Sequence, residues 1–223
     1  MSKKNSSRAW LKKFHSDPYV KLAQKEGLRS RASYKLLEIN QRDKIIKPGM
    51  SVLDLGSSPG GWSQVAARLV GPSGRVIAND ILEMNPICGV TFVRGDFSEK
   101  TTLNVLSETL GIQLIDVVLS DMAPNLSGLA AVDQPRAMLL LELALDLASR
   151  VLVPGGAFVT KAFQGEGFEA WLRDIRTRFA RVNIRKPAAS RAKSREVYIV
   201  GYGAKSTNAG SGLHLKSDLE DAL

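Results

Sequence analysis

The sequence predicts an α/β fold: a doubly wound, mostly parallel sheet of seven strands whose last strand is antiparallel. Three observations carry this. Short apolar runs alternate with stretches of helical spacing along most of the chain. The run Ile115–Ser120 is nearly all apolar, as in a parallel strand covered on both faces. The step from Val182–Arg185 to Glu196–Tyr202 is short and lacks a helical pattern, whereas a parallel crossover needs about a dozen residues or more.

Taken in order, residues 1–16 are polar and basic and read as a flexible arm. From Asp17 to Ile39 the spacing is helical, with Gly27 dividing two short helices and Ser30 or Ser33 placed to cap the second. Lys47-Pro48-Gly49 turns into strand one, Ser51–Leu55, which runs into Gly56-Ser57-Ser58-Pro59-Gly60-Gly61-Trp62 and then a helix. Strand two is Arg75–Asn79, closing on Asp80, and strand three is Thr91–Arg94, followed by Gly95-Asp96-Phe97. After Ile115–Ser120, Asp133 with Pro135 starts the longest helix, which Pro154-Gly155-Gly156 stops before strand five, Ala157–Lys161. An amphipathic helix, Phe168 to Phe179, precedes the last two strands. The main domain is expected over 17–203, and 204–223 reads as a polar, disordered tail.

Composition narrows the function classes. Cys88 is the only cysteine and His15 and His214 the only histidines, so neither a disulfide framework nor a Cys/His zinc site is expected, and no metal is assigned. No apolar run approaches membrane-spanning length, and the N-terminus lacks the order of a secretory signal, so the expected location is cytoplasmic with no membrane partner. The balance of 31 Lys+Arg against 22 Asp+Glu gives a net charge of +9. Much of the surplus lies in two runs: Lys3, Lys4, Arg8, Lys12, Lys13, Lys21, Lys25, Arg29, Arg31 and Lys35, then Arg185, Lys186, Arg191, Lys193 and Arg195. Either run could be a solvated face; two of them flanking one nucleotide-type core favour a groove for a phosphate backbone.

Ligands of open α/β sheets sit at the carboxyl ends of the parallel strands. Those ends carry Asp54 with the glycine turn, then Asp80, Asp96, Asp121 and Lys161. The turn lacks the G-x-G-x-x-G of a dinucleotide site, because Ser58 stands where the second glycine belongs. Asp80 lies at a distance suited to ribose hydroxyls, and Asp96 could accept from an adenine amino group with Phe97 beside the ring. Trp62 either anchors its helix on the sheet or lines the ligand pocket. Lys161, at the end of an apolar strand, needs partners; Asp121 and, with an antiparallel last strand, Glu196 lie at the same rim, and Lys35 could fold over it. A pair of structural salt bridges is the plain alternative.

Lys35, Asp121, Lys161 and Glu196 resemble the K-D-K-E tetrad of ribose 2′-O-methyltransferases. DLGSSPGGW, DMAPN, AVDQPRAM, KAFQGEGF and SRAKSREVY are similar to segments of the bacterial FtsJ/RrmJ-type (RlmE) family, a resemblance running from about Ala9 to Gly203. It implies a class I, Rossmann-like S-adenosylmethionine-dependent methyltransferase. Gly60, Trp62, Asp80, Asp96 and Asp121 would bind S-adenosyl-L-methionine, and Lys161, Lys35, Asp121 and Glu196 would form the catalytic group, with Lys161 the proton acceptor. The implied partner is 23S rRNA within the large ribosomal subunit, methylated on a uridine ribose of the A-loop. Nothing requires a dimer, so a monomer is expected. A tRNA or cap 2′-O-methyltransferase shares the tetrad, and a non-catalytic RNA-binding assembly factor could share the fold. A lysine base must lose its proton from a reference pKa of about 10.4, so orientation of the hydroxyl is the rival role for Lys161.

Overall fold

The computed structural model describes residues 17–111, 113–191 and 193–206. The expected basic arm and most of the expected tail lie outside the described residues. Two short helices, α1 (Pro18–Lys25) and α2 (Ser33–Asp43), precede the sheet. Then come β1 (Ser51–Leu55), α3 (Gly61–Val70), β2 (Arg75–Asp80), β3 (Val90–Arg94), α4 (Lys100–Leu110) and β4 (Ile115–Ser120). They are followed by α5 (Ala130–Val151), β5 (Leu152–Phe163), α6 (Phe168–Arg178), β6 (Phe179–Arg185) and β7 (Glu196–Ala204).

The seven strands lie in the order β3-β2-β1-β4-β5-β7-β6. β1 to β5 are parallel, and β7 enters between β5 and β6 antiparallel to both. The doubly wound fold with an antiparallel last strand is therefore as expected. Strands are added outward on one side of β1 as β2 and β3 and then on its other side as β4 and β5, and this switch in strand order opens the rim above β1 and β4 to a ligand.

One face of the sheet packs Leu106, Leu145, Trp171 and Ile175 from α4, α5 and α6; the other packs Leu36, Ile39, Trp62 and Val65 from α2 and α3. Burial on both faces explains why β4 is apolar at almost every position.

Four local expectations are corrected. Neither Ser30 nor Ser33 caps α2: Ala32 occupies the cap position, and Ser33 Oγ donates to Gly61 O at 3.1 Å, tying α2 to the glycine turn. The longest helix starts at Ala130, before Asp133, because Asp133 reaches back to accept from Ser127 N and Gly128 N at 2.8 and 2.9 Å. Strand five begins at Leu152, not Ala157: the register jumps from Ile115–Leu152 to Val117–Ala157, so Pro154-Gly155-Gly156 falls in a bulge rather than before the strand. Phe97 is not an open ring beside Asp96; it is buried in the core cluster that also holds Val93, Leu106 and Leu110.

Contacts across long stretches of sequence set α2 over the sheet rim. Arg185 donates to both carboxylate oxygens of Asp43 at 2.6 and 2.8 Å, fastening the end of α2 to β6. Glu38 accepts from Ala188 N at 2.7 Å, and Arg31 donates to Ala189 O at 2.5 Å. The helix carrying Lys35 is thus held against the loop that leads to Glu196.

Candidate active site

The glycine turn joins β1 to α3. Gly56 N and Ser57 N both donate to Asn79 O, at 2.9 and 3.1 Å, so the turn is fixed to the end of β2. Gly60 stands at the cap of α3 with φ 101°, a conformation that favours glycine. A Cβ there would lie 2.7 Å from Ile87 Cδ1 and 2.9 Å from Met84 Sδ, the ends of two flexible side chains of the loop after β2, which would have to shift. Gln64 N donates to Gly60 O, leaving the N–H groups of the first turn of α3 without helical partners and directed at the rim.

Asp80 follows at the end of β2. Its Oδ2 accepts from Ser58 N and its Oδ1 from Leu82 N, both at 2.8 Å, which orients the carboxylate and leaves lone pairs for a diol. Asp96 is exposed at the end of β3; Ser98 N and Ser98 Oγ donate to its Oδ1 at 2.9 and 2.7 Å, and its Oδ2 makes no hydrogen bond among the described residues. Beneath the turn, Asp54 is fully buried and accepts from Ser63 Oγ at 2.6 Å. Burial pushes its pKa up to about 7 against the pull of the Ser63 bond, with the Asp121 and Asp80 charges adding to the rise.

Trp62 is buried. Its Nε1 donates to Ala32 O at 2.8 Å, and its ring leans on Tyr198 with centroids 5.6 Å apart. The indole therefore anchors α3 against α2 and β7, the first of its two expected roles. Only the backbone N–H of Trp62 belongs to the open first turn of α3.

The four tetrad residues converge at the neighbouring strand ends. Lys35 Nζ donates to Glu196 Oε1 at 2.7 Å, and Lys161 Nζ lies 3.1 Å from Asp121 Oδ1 and also donates to Asp121 O. These would be two separate ion pairs but for Tyr198. Its hydroxyl accepts from Lys35 Nζ and donates to Asp121 Oδ1, both at 2.8 Å. The result is one chain of contacts, Glu196–Lys35–Tyr198–Asp121–Lys161, carrying two positive and two negative charges. Ser190 Oγ closes its outer end by donating to Glu196 Oε1 at 2.8 Å.

The electrostatics fix the state of two members of this chain, Glu196 and Tyr198. Burial would raise the Glu196 pKa, but Lys35, Ser190 and Lys161 outweigh it and hold the carboxyl below its ordinary value. Burial, reinforced by Asp121 and Glu196, drives the Tyr198 phenol well above its ordinary value, so it stays a neutral donor. Tyr198 escaped the sequence reading. Its signal was available, because Glu196 and Tyr198 are two apart on one strand and so share a face.

The two basic runs divide in the fold. Lys35 is buried in the tetrad, Arg185 is paired with Asp43, and Arg31 lies 3.2 Å from Asp17. Arg29 donates to the carbonyls of Pro59, Asn85 and Pro86, at 3.1, 2.6 and 2.6 Å, stapling the turn to the loop after β2. These four are structural or site residues rather than free surface charge. Lys21, Lys25, Arg191, Lys193 and Arg195 are exposed; Lys186 is exposed as well, but its Nζ donates to Ser194 O and, at 2.7 Å, to Glu196 O.

Comparison with known proteins agrees with this geometry. The sequence profile of the FtsJ-like methyltransferase family matches residues 28–204. A Pseudomonas fluorescens protein named ribosomal RNA large subunit methyltransferase E is 59% identical over 203 residues, covering 91% of this chain and 97% of its own. The protein of the same name from Alcanivorax borkumensis is 57% identical over 204 residues, covering 92% and 98%. Among solved structures, a Plasmodium falciparum protein assigned as a ribosomal RNA methyltransferase superposes with a TM-score of 0.70 at 28% identity, over 79% of this chain and 98% of that one. A Clostridium thermocellum protein at 19% identity shares the fold, with a TM-score of 0.53 over 76% of this chain and 96% of its own.

Proposed function

Because the chain belongs to the FtsJ-like methyltransferase family, we propose that it methylates the ribose 2′-hydroxyl of a uridine in 23S ribosomal RNA, in the A-loop of the large subunit, using S-adenosylmethionine. The observation that carries this reading is the single chain of charges from Glu196 to Lys161, set at the strand ends beside the glycine turn. A module that only bound RNA would have no need to bury Lys35 and Lys161 with their carboxylates at that position.

The donor side fits the group. The free N–H groups at the start of α3 and the close approach allowed by Gly60 suit its methionine portion, with Trp62 contributing through its backbone. Asp80 would accept from the ribose hydroxyls and Asp96 from the adenine amino group, while Asp121 would face the methionine end. When bound, S-adenosylmethionine supplies a methyl group already activated by its sulfonium.

The chain's own residues then have a positioning task, since displacement at an activated methyl is governed largely by in-line approach of the oxygen. Lys161 is the group placed to meet the 2′-hydroxyl. As described, its Nζ is a donor to Asp121 twice over, so it must release a proton before it can take one from the ribose. Asp121 fixes its direction. Tyr198 fixes Asp121, and Lys35 with Glu196 fixes Tyr198.

The exposed Lys21, Lys25, Arg191 and Lys193 would hold the RNA backbone. The protein would act as a monomer in the cytoplasm.

The test is to offer labelled methyl donor to undermethylated large subunits, free ribosomal RNA and tRNA. Label should enter the 23S RNA of the subunits. Transfer to tRNA alone would replace the substrate, and no transfer despite donor binding would refute the enzyme.

A further inference from the structure

Two of the segments that carry the family resemblance, AVDQPRAM and the part of KAFQGEGF that follows Lys161, have no part in donor binding or in the tetrad. In the fold they meet. A cleft of about 240 Å³ opens where they meet, lined by Leu126, Gly128, Gln134, Phe163, Ser194 and Arg195 among others. It shares Ala137 and Phe163 with the small cavity that Lys161 itself lines, so the two are neighbours at the carboxyl end of β5.

Gln134 is the organised polar group of this cleft. It is more than nine-tenths buried, and its Nε2 donates to Glu166 O at 3.0 Å and Phe163 O at 3.3 Å. Both partners are acceptors, so the amide orientation is fixed, and Oε1 receives no hydrogen bond among the described residues. The amide lies flat against Gly165, where a Cβ would come within 2.7 Å of Oε1; glycine is what allows this approach. Phe163 supplies an aromatic wall and Arg195 an exposed guanidinium at the mouth.

We infer that this cleft receives the base of the nucleotide whose ribose faces Lys161, and that Gln134 selects uracil. The inference rests on the proposed ribose methylation. A single-stranded base is read by stacking on aromatic or guanidinium planes and by hydrogen bonds to its Watson–Crick edge. Uracil presents an N3–H donor between two carbonyl oxygens. Gln134 Oε1 accepts the N3–H, and Arg195 donates to a flanking carbonyl. Cytosine presents an acceptor at N3 and meets Oε1 with lone pair against lone pair, so it is rejected.

The test uses a set of RNA substrates that differ only at the target nucleotide: uridine, N3-methyluridine or cytidine. The wild-type protein should methylate uridine, with kcat/KM at least about tenfold lower for the other two. Gln134→Leu should bring the uridine-to-cytidine ratio close to one while leaving donor affinity unchanged. Because the Gln134 amide also anchors the Phe163–Glu166 segment, a loss of rate alone would reflect that structural role; the ratio would not. Equal rates on all three bases with the wild type, or an unchanged ratio in Gln134→Leu, would overturn the inference and leave ribose methylation standing. No methylation of the uridine substrate would instead count against the underlying function.

Discussion

The two sides of the proposed active site are built on opposite plans. Apart from Asp121, which it shares with the tetrad, the donor side is made between residues 54 and 96, from one turn and the ends of adjacent strands, and its polar groups are largely backbone N–H groups and carboxylates already oriented by them. The acceptor side gathers Lys35, Asp121, Lys161, Glu196 and Tyr198 from across the whole chain, and each side chain is held by the next. A backbone cradle survives the loss of one side chain. A closed chain of buried charges does not, because removing a link leaves an uncompensated partner.

The sharpest break between the two sides is Lys161→Ala. It should lower the single-turnover rate by about 10²–10⁴-fold, the span of a general base, with donor affinity unchanged by calorimetry. Loss of donor binding in that variant would merge the two sides.

Asp54, beneath the donor turn, supplies the next effect. Its raised pKa means the folded protein retains a proton that the unfolded chain has lost between about pH 4 and pH 7. Stability from this group therefore falls as pH rises through that window and levels off above it, by up to about 4 kcal/mol. Asp54→Asn should flatten denaturant-derived stability over the same range; an unchanged slope would mean the carboxyl is ionised in the fold.

Tyr198→Phe removes the hydroxyl that joins the ion pairs. It should cost about 1–3 kcal/mol of stability and lower the rate without altering donor affinity. A variant as active as wild type would show that the two pairs work separately. The smallest effect belongs to Asp80→Asn, which keeps one oxygen for the ribose diol. Donor affinity should weaken about tenfold, one charge-assisted hydrogen bond, while the rate at saturating donor stays near wild type.

This contrast also explains what the sequence disclosed. The donor side is local, so the turn after β1 and the acids at the ends of β2 and β3 could be read from strand patterning and glycine spacing. The antiparallel placement of β7 followed from the length of one connection, and that put Glu196 at the correct rim. The tetrad was legible only through resemblance, since no periodicity links Lys35 to Glu196. Tyr198 was passed over although it shares a strand face with Glu196, because a tyrosine in an apolar strand looks like core until Lys35 and Asp121 are seen on either side of its hydroxyl. Phe97 erred in the opposite direction: it follows Asp96 directly, but the chain turns there and sends the ring into the core. Arg29 and Arg185 looked like free charge, and only the fold reveals the carbonyls and the carboxylate that occupy them.

The account stands on the claim that the charged chain ending at Lys161 serves a ribose hydroxyl. Nucleoside analysis of 23S RNA from undermethylated large subunits treated with protein and methyl donor tests it most directly. The account predicts 2′-O-methyluridine as the new product, formed by the wild type and not by Lys161→Ala. A methyl group on a base, or 2′-O-methyluridine formed equally well without Lys161, would contradict it.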